Sequence, residues 1–324
     1  MKKTLVFENT YFSLFVFFLY DKNWKSYDYL LWGNRFDHDF VEHLSNYVNV
    51  LEYSYQSIPR LISKSSHSLL KYYSDKIELR NIFKDYDVCI GNVREINDPY
   101  ISVTRIQIDD GTGTHLELIN GPKRKSTLFS MFDYLSFKES VKIGRSKEFI
   151  LTKNIESHAD YRDRCNFIDI KSEWEKRTQS EKEELLSIFR VSYDDFSYIN
   201  GSSSILFTQP FSENRSDYSE ADKVNGYRHV INMHGIKEKD IIIKPHPAEK
   251  TDYSLYFPDA TIIKSSFPAE LIALLGFNLD KVLSVATTAG ECFKGSCNLI
   301  YYAKGAEFFN FPESVANRLN SMDL

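Results

Sequence analysis

Along all 324 residues, short apolar runs alternate with longer amphipathic stretches. A chain patterned this way folds as βαβ units around a parallel sheet, not as an all-β sandwich or a helical bundle. In the first half the strand candidates are Thr4 to Phe7, Tyr29 to Trp32, Val48 to Tyr53, Val88 to Ile90, Ser102 to Ile108 and Glu148 to Leu151. The second half repeats the pattern with Ser204 to Phe207, Asp240 to Ile243, Ala260 to Ile263 and Lys281 to Val285. Helical periodicity runs from Tyr218 to His234 and around Pro268 to Leu275. Between Ser157 and Val191 the chain turns strongly charged, and Lys171 to Phe189 reads as a solvated helix at a junction. Single cores stop growing at roughly 250 to 300 residues. The expected fold class is therefore α/β with two Rossmann-like domains, residues 1–156 and 157–324, and a cleft between such domains is a natural place for a site.

The first twenty residues need a separate reading, because Lys2-Lys3 ahead of Leu14-Phe15-Val16-Phe17-Phe18-Leu19 has the look of a signal peptide. Glu8 and Asn9 interrupt the run, no small-residue cleavage site follows, and the stretch falls short of the roughly 20 residues that span a membrane. A buried strand turning at Glu8-Asn9-Thr10 into a buried helix is the expectation. Forty basic against forty-five acidic side chains give a formal charge of −5, which argues against a nucleic-acid partner held by counterion release. Cys89, Cys165, Cys292 and Cys297 are too irregular for a disulfide framework or a zinc knuckle, and read as packing thiols of a reducing cytoplasm.

In open α/β sheets ligands gather beyond the carboxyl ends of strands, so polar residues that follow apolar runs carry the chemistry. Asp109-Asp110-Gly111-Thr112 ends one such run. Adjacent carboxylates raise the cost of ionising both, which suits one of them to general-base work, although the spelling also fits an ordinary Asp-Gly turn. Ile241-Ile242-Ile243 leads into Lys244-Pro245-His246-Pro247, where two prolines fix the backbone around a histidine able to protonate a phosphate leaving group. Further on, Glu270 follows Pro268 near a helix start, where it can serve ribose hydroxyls or simply the helix dipole. Ser284 lies in a strand, and Thr287-Thr288 beyond it are expected to open a helix, as a phosphate site or as N-caps.

In this order the clusters resemble bacterial sialyltransferases of the GT-B type, above all glycosyltransferase family 52, and the related families 80 and 38. The residues that carry the resemblance are Asp109-Asp110-Gly111, His246-Pro247 and Thr287-Thr288, helped by Phe267-Pro268-Ala269-Glu270-Leu271 and Leu206-Phe207-Thr208-Gln209-Pro210. It covers most of the last 120 or so residues and only islands of the first half. The resemblance implies an inverting transfer of sialic acid from CMP-sialic acid to a terminal sugar, galactose for instance, of a bacterial surface glycan such as capsule or lipooligosaccharide. It implies no required cofactor and no metal. Asp109 or Asp110 would act as base and His246 would assist departure of CMP. Lys244, Pro247, Glu270, Ser284, Thr287 and Thr288 would bind the donor, with the acceptor near Asn9, Gly111 and Thr112. Within family 52 an acidic residue upstream of His-Pro has also been regarded as the base, which brings in Glu213, Asp217, Glu220 and Asp222.

The partners so implied are a nucleotide-sugar donor and a glycan or glycolipid acceptor, with no nucleic acid. A homodimer, and peripheral contact with the inner face of the cell membrane through the Lys123-Arg124-Lys125 turn, are compatible with the family. The rival readings are a GT-B enzyme with another donor, such as CDP-glycerol or a different sugar nucleotide, and a non-catalytic nucleotide-binding protein of capsule assembly. A metal-dependent GT-A enzyme is disfavoured, since Asp37-His38-Asp39 and Asp85-Tyr86-Asp87 do not follow strands.

Overall fold

The computed structural model describes residues 2–32, 36–51, 77–96, 101–111, 114–115, 118–119, 146–157, 159–213, 218–287, 289–303, 309 and 311. The chain packs as two compact units, Met1–Phe189 and Arg190–Leu324. The first holds a seven-stranded sheet of β1 (Thr4–Glu8), β2 (Asp28–Leu31), β3 (Asn49–Val50), β4 (Val88–Gly91), β5 (Thr104–Ile108), β6 (Glu148–Leu151) and β7 (Cys165–Phe167). Their order is β3-β2-β1-β4-β5-β6-β7, with every neighbouring pair parallel. The second holds β8 (Ser204–Phe207), β9 (Ile241–Lys244), β10 (Thr261–Ile262), β11 (Leu279–Val285) and β12 (Cys297–Ala303), again all parallel, in the order β10-β9-β8-β11-β12. Both sheets grow outward from their first strand on one side and then on the other. The strand order therefore reverses between β1 and β4, and between β8 and β11, and such switch points are where open α/β sheets bind ligands.

The central strands read as apolar runs because both of their faces are covered. Leu5, Val6, Leu206, Ile241 and Ile243 have no exposed surface. Helix α1 (Tyr11–Tyr20) carries no charged residue; its N-cap Thr10 accepts the Ser13 amide, and Leu14 to Leu19 are buried. A helix apolar on all sides belongs in a core, where each buried Phe or Leu contributes roughly 1.5–3 kcal/mol.

The sequence put the domain boundary at 156/157, whereas the compact units divide at 189/190. The segment expected as one solvated helix over 171–189 forms two, α3 (Ile170–Glu175) and α4 (Gln179–Ile188), the second opened by a Thr178–Glu181 capping box. Apart from the buried Arg177, its charged side chains are at least partly exposed. Trp174, Leu185, Ile188 and Phe189 are buried, with Trp174 and Phe189 against Phe15 of α1. Arg177 Nη2 donates to the carbonyls of Phe18 and Leu19, each at 2.9 Å. Those carbonyls belong to the last turn of α1, which has no intrahelical donors for them. Packing and capping together assign the charged segment to the first unit.

Edge strands β7 and β12 have no counterpart among the expected strands. The four cysteines are free. Among the described residues no helix is long and apolar enough to cross a membrane. The Lys123-Arg124-Lys125 turn lies outside the described residues.

Candidate functional site

The parallel register brings the last residues of β1, β4, β5 and β6 to one edge of the first sheet. At its switch point Asn92, just past β4, donates from Nδ2 to Asn9 Oδ1 (2.6 Å) and to Asp110 Oδ2 (3.1 Å). Gly91 has φ +128°, and a Cβ there would sit 2.3 Å from the Phe7 carbonyl oxygen and 2.8 Å from Glu8 Oε1. Only glycine lets β4 approach β1 so closely.

The two adjacent aspartates are sharply different. Asp109 is buried, which by itself raises a carboxyl's pKa. Its donors outweigh that: Oδ2 receives His115 Nε2 at 2.8 Å and Thr152 through both amide (3.0 Å) and hydroxyl (2.7 Å), while Oδ1 receives the Gly111 amide (2.8 Å). The net shift is downward, so Asp109 is held as a carboxylate whose hydrogen-bonding capacity is spent inside the protein. For Asp110 burial dominates and the pKa is raised, opposed by Arg94 (Nη2 to Oδ2, 2.6 Å) and the Thr114 hydroxyl, and reinforced by the charge of Asp109. The net shift is upward, the direction that makes a carboxylate a stronger base. Glu8, the last residue of β1, is fully buried, and burial lifts it well above the carboxylate range despite the Ser13 hydroxyl at 2.8 Å. The sequence reading treated Glu8 as the interruption of an apolar run. Of the acceptor-side candidates, Asn9 is buried at the switch point and Gly111 caps Asp109, while Thr112 lies outside the described residues.

The second sheet gathers Thr208 after β8, Lys244 and His246 at and after β9, and Ser284 to Thr287 at and after β11 on one edge. Lys244 is 4% exposed, with Nζ 3.9 Å from the centroid of the Phe267 ring. Burial pulls its pKa down to about 7, partly countered by the charge of Glu270. His246 Nδ1 accepts the Ala248 amide (3.1 Å), which puts the proton of a neutral ring on Nε2. Glu270 opens the short helix α6 (Glu270–Leu274), and Pro247 is exposed. Ser284 Oγ is buried without a hydrogen-bond partner among the described residues, and a Cβ on Gly290 would meet it at 2.5 Å. Thr287 Oγ1 accepts the Ala289 amide at 3.3 Å. The helix expected after the threonines is a five-residue 3₁₀ turn, Ala289–Phe293, and Thr288 lies outside the described residues.

The upstream carboxylates have other employment. Glu213 receives Lys223 Nζ on both oxygens at 2.8 Å and the Lys250 amide at 2.9 Å. Burial would raise it, but these donors bring it down to about 2, too weak a base for a hydroxyl at neutral pH. Glu220 and Asp222 lie in the first turn of α5 (Glu220–Met233), which Ser219 caps, and Asp217 lies outside the described residues. The Asp-x-Asp spellings are structural as well. Asp37 caps α2 (His38–Leu44), and Asp87 accepts the Lys3 amide. Among the described residues no group of three or more His, Cys, Asp or Glu could hold a metal ion.

Asn92, Arg94, His115 and Thr152 in the first unit, and Lys223, Glu249 and Tyr253 in the second, are not among the residues expected from sequence, and Thr208 is expected only as part of the Leu206-Phe207-Thr208-Gln209-Pro210 resemblance. Lys223 had left a signal: with Tyr227, Val230 and Ile231 it occupies i, i+4, i+7 and i+8, the buried face of α5.

Comparison with known proteins bears on both edges. The sequence model of glycosyltransferase family 52 matches residues 108–293, more than half of the chain. A Haemophilus influenzae protein described as uncharacterized is 32% identical over 184 residues, 56% of each chain, so the match spans about half of that relative's length. An α/β-galactoside α-2,3-sialyltransferase of Photobacterium phosphoreum superposes with a TM-score of 0.54 at 12% identity, over 100% of this chain and 97% of that one. A 2,6-sialyltransferase of Photobacterium sp. JT-ISH-224, solved with CMP and lactose, gives 0.58 at 13% identity, over 98% and 74%. At such identities the likeness speaks for the fold, two Rossmann-like halves of the GT-B type. The family pattern runs from the last residue of β5 through Asp109, Asp110, His246 and Thr287 to Phe293, and this chain belongs to glycosyltransferase family 52.

Proposed function

We propose that the protein is an inverting sialyltransferase that uses CMP-sialic acid and needs no metal. The observation that carries this reading is the company kept at the second sheet's edge by a buried, readily discharged lysine, a histidine with its proton set on Nε2, and a threonine hydroxyl. Such a set suits a monophosphate leaving group, which carries less charge than a diphosphate. In the proposed step an acceptor hydroxyl attacks the anomeric carbon, its proton passes to Asp110, and the bond from that carbon to the CMP oxygen breaks. His246, neutral with Nδ1 occupied by the Ala248 amide, keeps its Nε2 proton and donates a hydrogen bond through it to the departing phosphate oxygen, and CMP leaves as its anion. Lys244, Thr287 and Thr288 bind that phosphate, Glu270 holds the ribose hydroxyls, and Pro247 and Ser284 shape the donor site. Asp109 holds the turn that presents Asp110. The acceptor we propose is a terminal galactose of a surface glycan such as capsule or lipooligosaccharide, approached through Asn9, Gly111 and Thr112. Peripheral contact with the membrane's inner face and a homodimer belong to the same proposal. The 2,6-sialyltransferase solved with CMP and lactose supports it by analogy of fold.

Incubation with CMP-sialic acid and a panel of galactose-terminated acceptors, with and without a chelator, is expected to give sialylated product at an unchanged rate. Turnover of CDP-glycerol or another sugar nucleotide in its place would overturn the donor, and loss of activity with chelator would overturn the metal-free step.

A second prediction follows from Lys244. With its pKa near 7, the side chain is mostly neutral at about pH 8, and an anion bound beside it will draw a proton on. Calorimetric titration of CMP in buffers of different ionisation enthalpy should show uptake approaching about one proton per site near pH 8 and little near pH 5.5. The uptake should vanish in Lys244→Met. Buffer-independent heats at pH 8 would remove Lys244 from the phosphate site.

A further inference from the structure

Three residues beyond His246 lies Glu249, whose side chain has no exposed surface although it sits in an irregular, solvent-facing segment. Its carboxylate accepts four hydrogen bonds. Oε2 takes the His246 amide at 2.7 Å together with the Thr208 hydroxyl, and Oε1 takes Tyr253 Oη at 2.6 Å and Lys223 Nζ at 3.2 Å. Lys223 is itself fully buried on α5 and is shared with Glu213. One turn along that helix, Tyr227 Oη accepts the Gln209 amide at 2.6 Å, so α5 also holds the segment that follows β8.

Burying one cation between two carboxylates carries a large desolvation penalty, and apolar replacements of such clusters are often neutral or stabilising. Stability alone is therefore a poor account of this one. What the cluster does fix is position. Thr208 and His246 follow neighbouring strands, and a single carboxylate oxygen ties them together. Pro245 and Pro247 restrict the same backbone, and the Ala248 amide orients the imidazole. His246 is thus restrained at both main chain and ring, and the Glu249 bond anchors its main chain in the buried core.

We propose that Glu249, with Lys223 as its buried counter-charge, is the positioning residue that sets His246 in place for hydrogen-bonding the leaving group. The inference rests on the role given to His246 above. Misplacing a catalytic group by about 1 Å can reduce the rate by roughly 10²-fold, so the expected loss is kinetic. In Glu249→Gln the amide keeps the shape but must turn an NH₂ toward donors on one side.

The test uses the purified full chain with CMP-sialic acid and a galactose-terminated acceptor. Glu249→Gln should lower kcat by about 10- to 100-fold with donor KM within about 3-fold of wild type. In a His246→Ala background the same change should alter kcat by less than about 3-fold, because residues acting as a unit are non-additive. Wild-type kcat in Glu249→Gln, or an equal loss in both backgrounds, overturns the proposal. A near-native rate in His246→Ala alone would instead overturn the function read for His246. If Glu249→Gln does not fold, Thr208→Val serves, since it keeps Glu249 and removes the hydroxyl that shares its oxygen. It is expected to lower kcat about 3- to 10-fold in the wild-type background only, and an unchanged kcat would sink the idea.

Discussion

Replacing His246 by Ala is expected to lower kcat by about 10²- to 10³-fold, the range for losing one positioned hydrogen-bond donor to the charge that develops on a leaving group. The fold should survive, because the contact of His246 with the buried network runs through its amide, which alanine keeps. The imidazole is held by local partners, with Nδ1 on the Ala248 amide. The expected loss corresponds to about 2.7–4.1 kcal/mol of transition-state stabilisation at 1.36 kcal/mol per decade. A leaving-group role also predicts which substrates escape. A sialyl donor whose leaving group develops no phosphate charge should react with the variant at close to the wild-type rate, while CMP-sialic acid should not. Steady-state kinetics with both donors decide it. An equal loss with both would indicate that His246 binds the sugar and does not act on the phosphate.

The architecture was legible because strands covered on both faces show in sequence as unbroken apolar runs, and Ile241-Ile242-Ile243 is buried as such a run implies. The placement of Lys244 and His246 was legible for the same reason, since polar residues that follow such a run fall at the carboxyl edge of the sheet. The charged segment before Val191 misled, because side chains on the outer face of α3 and α4 hid the few that matter. Trp174 and Phe189 decide the boundary by packing on Phe15 of α1, 150 or more residues earlier in the chain. Networks were the least legible part. Asn92 meets Asn9 across 83 residues, and Thr208 meets Glu249 across 41. No local pattern announces such pairs; they follow only once register has set strand ends side by side. The expected helix after Thr287 failed for a related reason, as Gly290 packs directly on Ser284 and Val282 and leaves room only for a tight turn.

Register also separates the two aspartates, and the largest effect expected in the first unit is a split between them. Asp110→Asn should keep its fold and lose about 10²- to 10⁴-fold in kcat, since the amide replaces a carboxylate whose folded-state pKa is raised. The sign agrees: a carboxyl raised on folding binds its proton more tightly in the native state, so it favours the fold at low pH and opposes it as pH rises through that value. A neutral isostere removes that opposition. Asp109→Asn should do the reverse. Its folded pKa is lowered, so its contribution to stability is present above the unfolded value near 4 and is lost as pH falls through the folded one. The amide would bring an NH₂ against His115, Thr152 or Gly111 and leave buried donors unpaired, a change in the range of about 3–5 kcal/mol for a broken buried pair. For a unit of this size each kcal/mol shifts the melting temperature by roughly 2–4 °C. Thermal melts across pH, run beside kcat, check both halves. If Asp109→Asn melts like the wild type and Asp110→Asn turns over at the wild-type rate, the base lies elsewhere, and the segment from Glu213 to Asp222 becomes the place to look.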